Sequence, residues 1–166
     1  QPDIVTMGKP TGNGHPIAGL VTSMDIMTAF RKAFRHFNTF GGNPVSCAVG
    51  AKVLDILERD RLQDNARVVG QHLRRGLRAL AERHDIIGDI RGQGLWVGVE
   101  LVLDRHGKQP ATEQAHRAIN LMKDRGVLMG RIGEFDNVLK MRPPLPIQTE
   151  HADLLLGALD DVLAAL

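Results

Sequence analysis

Residues 86–101 read Ile86-Ile87-Gly88-Asp89-Ile90-Arg91-Gly92-Gln93-Gly94-Leu95-Trp96-Val97-Gly98-Val99-Glu100-Leu101, and this stretch decides what kind of fold the chain can build. Leu95, Val97, Val99 and Leu101 alternate with Trp96, Gly98 and Glu100, the period of a strand with one apolar face. Gly92-Gln93-Gly94 supplies the turn, so Ile86 to Arg91 and Leu95 to Leu101 are expected to pair as an antiparallel hairpin covered on one side only. Helices must provide that cover. Upstream, apolar residues recur at three and four through Val45, Val49, Val53, Ile56 and Leu57, and again through Leu62, Ala66, Val69, Leu73, Leu77 and Leu80, which predicts two helices, the second strongly amphipathic. Downstream, Thr112 to Arg125 is expected as a helix ended by Gly126, Val127 to Gly130 and Val138 to Met141 as short strands. Thr149 is expected to cap a last helix carrying Leu155, Leu159, Val162 and Leu166.

Towards the start of the chain, Ile4 to Met7 reads as a short buried strand that stops at Gly8. Lys9-Pro10-Thr11-Gly12-Asn13-Gly14-His15-Pro16 follows as dense turn chemistry, and Ile17 to Thr22 reads as a second strand. Ser23 can cap a helix over Met24 to Lys32, with Asp25 well placed for the helix dipole. His36 to Gly42 is a polar, glycine-rich loop, after which Asn43 is an N-cap and Pro44 a first helical residue. Composition shifts near residue 43, from a loop-rich first part to a helix and sheet part, with no internal repeat.

With 166 residues, 21 Lys+Arg against 19 Asp+Glu, a net charge of +2 and 43% apolar residues, the composition is that of a globular protein. A chain of this size buries roughly 70% of its unfolded surface and needs no disulfide or structural metal. Lone Cys47, in Val45-Ser46-Cys47-Ala48-Val49, reads as a small buried hydrophobe in a reducing, cytoplasmic setting. No apolar run approaches the ~20 residues that cross a bilayer, and no basic-then-apolar leader opens the chain, so neither insertion nor export is expected. Gln1-Pro2-Asp3 leads directly into a strand, and the chain is expected to be cut from a larger protein. Arg74, Arg75 and Arg78 share a helix with Leu73, Leu77 and Leu80 and read as its solvated face. With aromatics at 4% and no Tyr, no nucleic-acid surface is expected.

Among the lysines, only Lys9 ends a strand with a glycine before it and a Pro, Gly and Asn turn after it. Apolar walls there would disfavour the ammonium and prepare an amine for Schiff-base chemistry, although the same string suits an ordinary surface lysine in a turn. Gly12-Asn13-Gly14 lacks the continuation of a dinucleotide fingerprint, and Gly8-Lys9 lacks the Ser or Thr and leading glycine of a P-loop. Thr39-Phe40-Gly41-Gly42-Asn43-Pro44 combines glycine amides, a hydroxyl and a helix start, which suits a phosphate and equally a plain capped loop. Arg142 ends a strand against Pro143-Pro144, which cannot continue a ladder. Its guanidinium can grip a carboxylate with two bonds or make a structural salt bridge. The histidines show no metal-binding spacing, and His15 and His36 lie in loops where they can serve a pocket or simply meet solvent.

Read together, Pro2-Asp3-Ile4-Val5-Thr6-Met7-Gly8-Lys9-Pro10 with Gly12-Asn13-Gly14, Thr39-Phe40-Gly41-Gly42-Asn43-Pro44, Arg91-Gly92-Gln93-Gly94-Leu95 with Glu100, and Lys140-Met141-Arg142-Pro143-Pro144-Leu145 resemble the class III aminotransferases. The resemblance implies an α/β fold, the C-terminal part of a fold type I pyridoxal-phosphate-dependent transferase. Residues 1–43 would end the cofactor-binding large domain, and residues 44–166 would form the small α+β C-terminal domain with its linking helix. It implies that Lys9 forms the internal aldimine with pyridoxal 5'-phosphate and shuttles the substrate proton, and that Thr39 binds the cofactor phosphate of the neighbouring subunit in a homodimer. Arg142 would hold the carboxylate of the amino or oxo acid. Members are more than twice this long, and their N-terminal part carries the glycine-rich phosphate loop, the ring stacked on the pyridine and the Asp paired with its nitrogen. Gly8-Lys9-Pro10 with Gly12-Asn13-Gly14-His15-Pro16 is most similar to the alanine–glyoxylate aminotransferase 2-like branch, itself similar to phospho-lyases that act on phosphorylated amines. The implied substrates are a small amine and an oxo acid. Transamination, phospho-lyase chemistry and a helix and sheet fragment without activity all stay open at this point.

Overall fold

The computed structural model describes residues 2–166, in two compact units, Gln1–Arg61 and Leu62–Leu166. In the second unit the hairpin forms as its alternation predicts, although its turn falls at Gly94-Leu95 instead of Gly92-Gln93-Gly94: β3 (Ile87–Gln93) pairs antiparallel with β4 (Trp96–Leu101), Gln93 opposite Trp96. β6 (Val138–Met141) pairs with the free edge of β4, and β5 (Gly130–Ile132) with β6, giving the order β3-β4-β6-β5. Helices α3 (Leu62–Arg83) and α4 (Thr112–Asp124) pack on this sheet, and α5 (Thr149–Ala164) packs against both. The covered face is the one read from the sequence. Val97, Val99 and Leu101 of β4 and Leu139 of β6 are wholly buried with Leu77, Met122, Leu159 and Val162, each apolar side chain contributing about 1.5–3 kcal/mol by leaving water. Trp96 stands on the opposite face, 69% exposed.

Two seams bring the layers together. A Cβ at Gly70 would overlap the Gly94 carbonyl, so α3 touches the β3–β4 turn backbone to backbone. Arg74, expected on a solvated face, instead donates from Nη1 to the Gly94 oxygen at 2.7 Å. At the far end of α3, Arg105 donates to the carbonyls of Ala81, His84 and Asp85, supplying donors where the helix leaves its last acceptors without amides. Helix α5 is clamped to α3 by His72 and Asp153, 2.5 Å apart, and by Asp160, which meets Arg83 at 2.8 Å and His84 at 2.6 Å.

Several boundaries differ from the sequence reading. β5 begins at Gly130, because the residues after α4 still serve the helix end. Gly126, at φ 78°, donates to the Lys123 carbonyl and Val127 to that of Met122, both at 2.9 Å, which is a Schellman closure. The last helix is capped by Gln148 in a reciprocal arrangement with His151, and Thr149 is its first residue instead of its cap. A bulge between Ile87 and Asp89 interrupts β3.

The first unit holds β1 (Ile4–Met7), paired antiparallel with β2 (Gly19–Thr22), then α1 (Met24–Ala33) and α2 (Pro44–Arg59). Both caps form as expected: the Ser23 hydroxyl accepts from Ile26 N, and Asn43 Oδ1 accepts from Val45 N and Ser46 N. Strand β1 is exposed, not buried, with Ile4 at 50%, since β2 is its partner and no layer of the unit covers the pair. β2 starts at Gly19 because Ile17 turns instead towards Gly12 and Gly50. Cys47 is likewise exposed, on the outward side of α2. The division at residues 61 and 62 leaves α2 with the first unit, one helix beyond the compositional shift near residue 43. No helix among the described residues is long and apolar enough to cross a membrane.

Gly70→Ala is expected to destabilise the fold by about 2–3 kcal/mol in urea titration, because the methyl group would collide with backbone. Gly157→Ala, in the exposed interior of α5 with open space around it, is expected to stabilise by about 0.5–1 kcal/mol. The Asp160 carboxyl is held below the usual carboxylate range, first by the hydrogen bond from His84, with Arg83 adding to it. Its contribution is therefore complete above the unfolded carboxyl's value, about pH 4, and is lost as the pH falls through the folded value. Thermal melts of Asp160→Asn should show a deficit against the parent at neutral pH that closes in acid below that value.

Candidate active site

Met7 ends β1 and Gly8 follows in extended conformation, after which the chain enters a single 3-10 turn, Lys9–Gly12. Lys9 itself adopts φ 48°, Asn13 φ 46° and Gly14 φ 106°. A side-chain-bearing residue in the left-handed region is uncommon, and such conformations gather at functional sites when their surroundings hold them. The holding bonds are local: Thr11 N and Oγ1 donate to Gly8 O at 3.3 and 3.2 Å, Asn13 N to Pro10 O and His15 N to Gly12 O, both at 3.0 Å. The Lys9 side chain is exposed and has no hydrogen-bond or ion-pair partner among the described residues. The apolar walls expected around it are absent here, for the same reason that β1 is exposed. The sequence could not show the left-handed backbone of Lys9, because a residue before proline ordinarily takes an extended conformation and a side-chain-bearing residue rarely takes positive φ.

The 39–43 loop is closed by its two asparagines. Asn38 Oδ1 accepts from Phe40 N at 3.0 Å and Gly41 N at 3.1 Å, and Asn43 Oδ1 occupies the first amides of α2. The helix start is thereby satisfied internally and is less open to an anion than the bare pattern implies. What stays available is the hydroxyl and amide of Thr39 and the amide of Gly42, which have no partners among the described residues. Gly42, at φ 74°, gives the turn a conformation most side chains resist.

Arg142 lies in the second unit, just past β6, exposed and without an ion pair among the described residues, so the salt bridge weighed from sequence does not form. It lines a cavity of about 550 Å³ bounded by Val127, Met129, Met141, Pro143, Leu154 and Leu155. Lys140 lines the same cavity. Lys140 lies in β6 and Arg142 two residues further, just past its end, and this Lys-x-Arg spacing is the signal in the sequence for their pairing. Among the described residues no carboxylate lines this cavity, so Lys140 and Arg142 meet no competing anion in its lining.

Arg91 behaves differently. Its Nη1 lies 2.7 Å from Asp89 and 2.6 Å from Glu100, and the hydrogen bonds to Asp89 and then Glu100 push its pKa up. That guanidinium is a cross-strand strut whose charge is already matched. Among the described residues no hydrogen bond joins the Lys9 turn directly to Thr39; both lie in the first unit, and Arg142 lies in the second.

A family model described as Aminotransferase class-III matches residues 1–163. The alanine–glyoxylate aminotransferase 2 homolog 2, mitochondrial, of Arabidopsis thaliana is 47% identical over 159 residues, which is 96% of this chain and 33% of that protein. Among solved structures, a phospholyase from Arthrobacter in complex with phosphoethanolamine superposes with a TM-score of 0.94 at 44% identity, covering 100% of this chain and 39% of that one. An amine transaminase from an uncultivated Pseudomonas species, in its PLP-bound internal aldimine form, superposes with a TM-score of 0.87 at 33% identity, covering 99% and 38%. The chain thus spans a third to two fifths of the length of the proteins it matches.

Proposed function

This chain belongs to the class-III aminotransferase family, and from that membership we propose that it carries the cofactor lysine and the acceptor-binding arginine of a pyridoxal-phosphate-dependent aminotransferase. The observation that carries the reading is the Lys9 amine: unpartnered among the described residues, exposed, and set on a left-handed residue that opens the turn after β1. Pyridoxal phosphate is the family's cofactor, and the donors present fit it. An aldehyde needs a nucleophilic amine, which Lys9 offers, and a phosphate needs donors not already spent, which the Thr39 hydroxyl and the Thr39 and Gly42 amides offer. The bound cofactor supplies an electron sink that lets a proton leave the amine-bearing carbon of the substrate.

In this reading the Lys9 amine holds the cofactor covalently and, once displaced by substrate, takes and returns the proton. Thr39 serves the cofactor phosphate of the neighbouring subunit, which makes the working enzyme a homodimer with shared sites. Arg142, on a segment stiffened by Pro143 and Pro144, grips the carboxylate of an amino or oxo acid with parallel hydrogen bonds. The exposed, unpaired thiol of Cys47 suits a reducing compartment, cytoplasmic in our reading. Residues 1–43 are assigned to the end of a large cofactor-binding domain and residues 44–166 to the small domain with its linking helix.

A phospho-lyase acting on a phosphorylated amine is the second reading, and the cavity lined by both Lys140 and Arg142 favours it, because two cations suit a phosphate better than a single carboxylate. The two readings share Lys9. Borohydride reduction of the holoenzyme followed by peptide mapping should place the pyridoxyl group on Lys9; an adduct on another lysine removes the assignment. Lys9→Ala should abolish turnover with the fold retained.

Arg142→Lys is expected to raise the KM for an oxo-acid acceptor such as pyruvate or 2-oxoglutarate about 10-fold or more, the size of losing a charge-assisted hydrogen bond. The absorbance of the bound cofactor should not change. Release of inorganic phosphate from phosphoethanolamine with no oxo acid present would overturn transamination in favour of the lyase.

A further inference from the structure

Ser46 stands in the first turn of α2 and is engaged from two directions. Its amide donates to Asn43 Oδ1 at 3.2 Å, closing the loop that begins at Thr39. Its hydroxyl lies 2.8 Å from Nε2 of His15, at the end of the turn that begins at Lys9. One helical turn on, the side chain of Ile17 comes within 3.1 Å of where a Cβ of Gly50 would stand, and within 2.7 Å of the corresponding position at Gly12. Ser46 and Gly50 are i and i+4 neighbours on one helix face, so this face receives His15 and Ile17 on either side of Pro16. Gly12 and Gly50 are the buried residues of the unit among those described. The Lys9 turn, with left-handed residues at Lys9, Asn13 and Gly14, therefore has little core to hold it. Such conformations persist only where neighbouring structure fixes them, and the bond from His15 to Ser46 fixes the far end of this turn to a regular helix.

We propose that His15 and Ser46 are positioning residues for Lys9, their hydrogen bond setting where the Lys9 amine stands and coupling it, through the Ser46 amide, to the loop that presents Thr39. The proposal rests on the reading of Lys9 and Thr39 as cofactor-binding residues. Neither His15 nor Ser46 is assigned a contact with the cofactor, so the effect of removing either passes through the turn. A residue that only stabilised the fold would change the melting temperature and nothing at the amine.

The experiment uses the holoenzyme and three readouts: the dissociation constant of pyridoxal phosphate, the pH midpoint of the bound cofactor's absorbance change, and the melting temperature. Ser46→Ala and His15→Ala should each raise that constant about five-fold, as losing a bond of about 1 kcal/mol would, and shift the pH midpoint in the same direction. The doubly substituted protein should be no worse than either single variant, because both remove one bond. Ser46→Thr keeps a hydroxyl and should restore both values; with Ser46→Ala it carries the comparison should His15→Ala fail to fold. An unchanged midpoint and affinity with only a lower melting temperature would overturn the positioning role, as would additive effects in the double variant. Borohydride mapping on the same preparations separates the two levels. An adduct away from Lys9 removes the underlying reading and the proposal with it, whereas an adduct on Lys9 with unmoved midpoint and affinity removes the proposal alone.

Discussion

The second unit is organised around the place where helix α3 meets the β3–β4 turn. Gly70 has no side chain because the Gly94 carbonyl occupies the space a Cβ would need, and Arg74, one helical turn on, donates to that same oxygen. Gly76 repeats the device towards α5, where the Leu156 side chain fills the position of a Cβ. Each glycine costs a helix about 1 kcal/mol relative to alanine. The cost is offset because the close approach lets Leu73, Leu77 and Leu80 reach Val97, Val99 and Leu101 across the sheet and bury them almost completely. Were α3 held further out, the alternation of β4 would have nothing to pack against.

The first unit is built on another principle. Met24, Phe30, Phe34, Phe37 and Phe40 are all exposed, and the tilted pair of Phe30 and Phe34, with ring centroids 5.7 Å apart, is a local contact and not part of a core. What holds the unit is hydrogen bonding at turns and caps: Ser23 on α1, Asn38 and Asn43 around the 39–43 loop, and His15 on Ser46. The proposed site residues fall on both sides of this difference. The residues proposed to serve the cofactor, Lys9 and Thr39, sit on segments fixed by hydrogen-bond geometry, while Arg142 directly follows a strand anchored in a true core by Leu139 and Met141.

How far the sequence could be read depends on whether the deciding interaction is local. The caps at Ser23 and Asn43, the strand alternation of 95–101 and the amphipathic periodicity of α3 were legible because each is set within a few residues. The Schellman closure that delays β5 to Gly130 is only half legible: Gly126 reads as a helix stop, while the bond from Val127 to Met122 is made by backbone beyond it. The exposure of β1 and of Cys47 is not legible in the sequence, because an apolar strand or helix residue announces only that it can be buried. Whether another layer covers it is decided by the rest of the molecule.

For the candidate site the division is similar. The amino-acid sequence by itself determined which residues could do chemistry: an amine between Gly8 and Pro10, a hydroxyl before two glycines, a guanidinium before two prolines. It determined the family as well, since four motifs in order constrain a chain far more than any one of them. Folding alone sets that Lys9 takes a left-handed backbone, that Arg91 is paired while Arg142 has no ion pair among the described residues, and that Ser46 reaches His15. These are matters of who stands opposite whom across 31 residues of chain in one case and between adjacent strands in another. Local sequence sets the donors and acceptors a segment carries, and folding sets which of them are already spent.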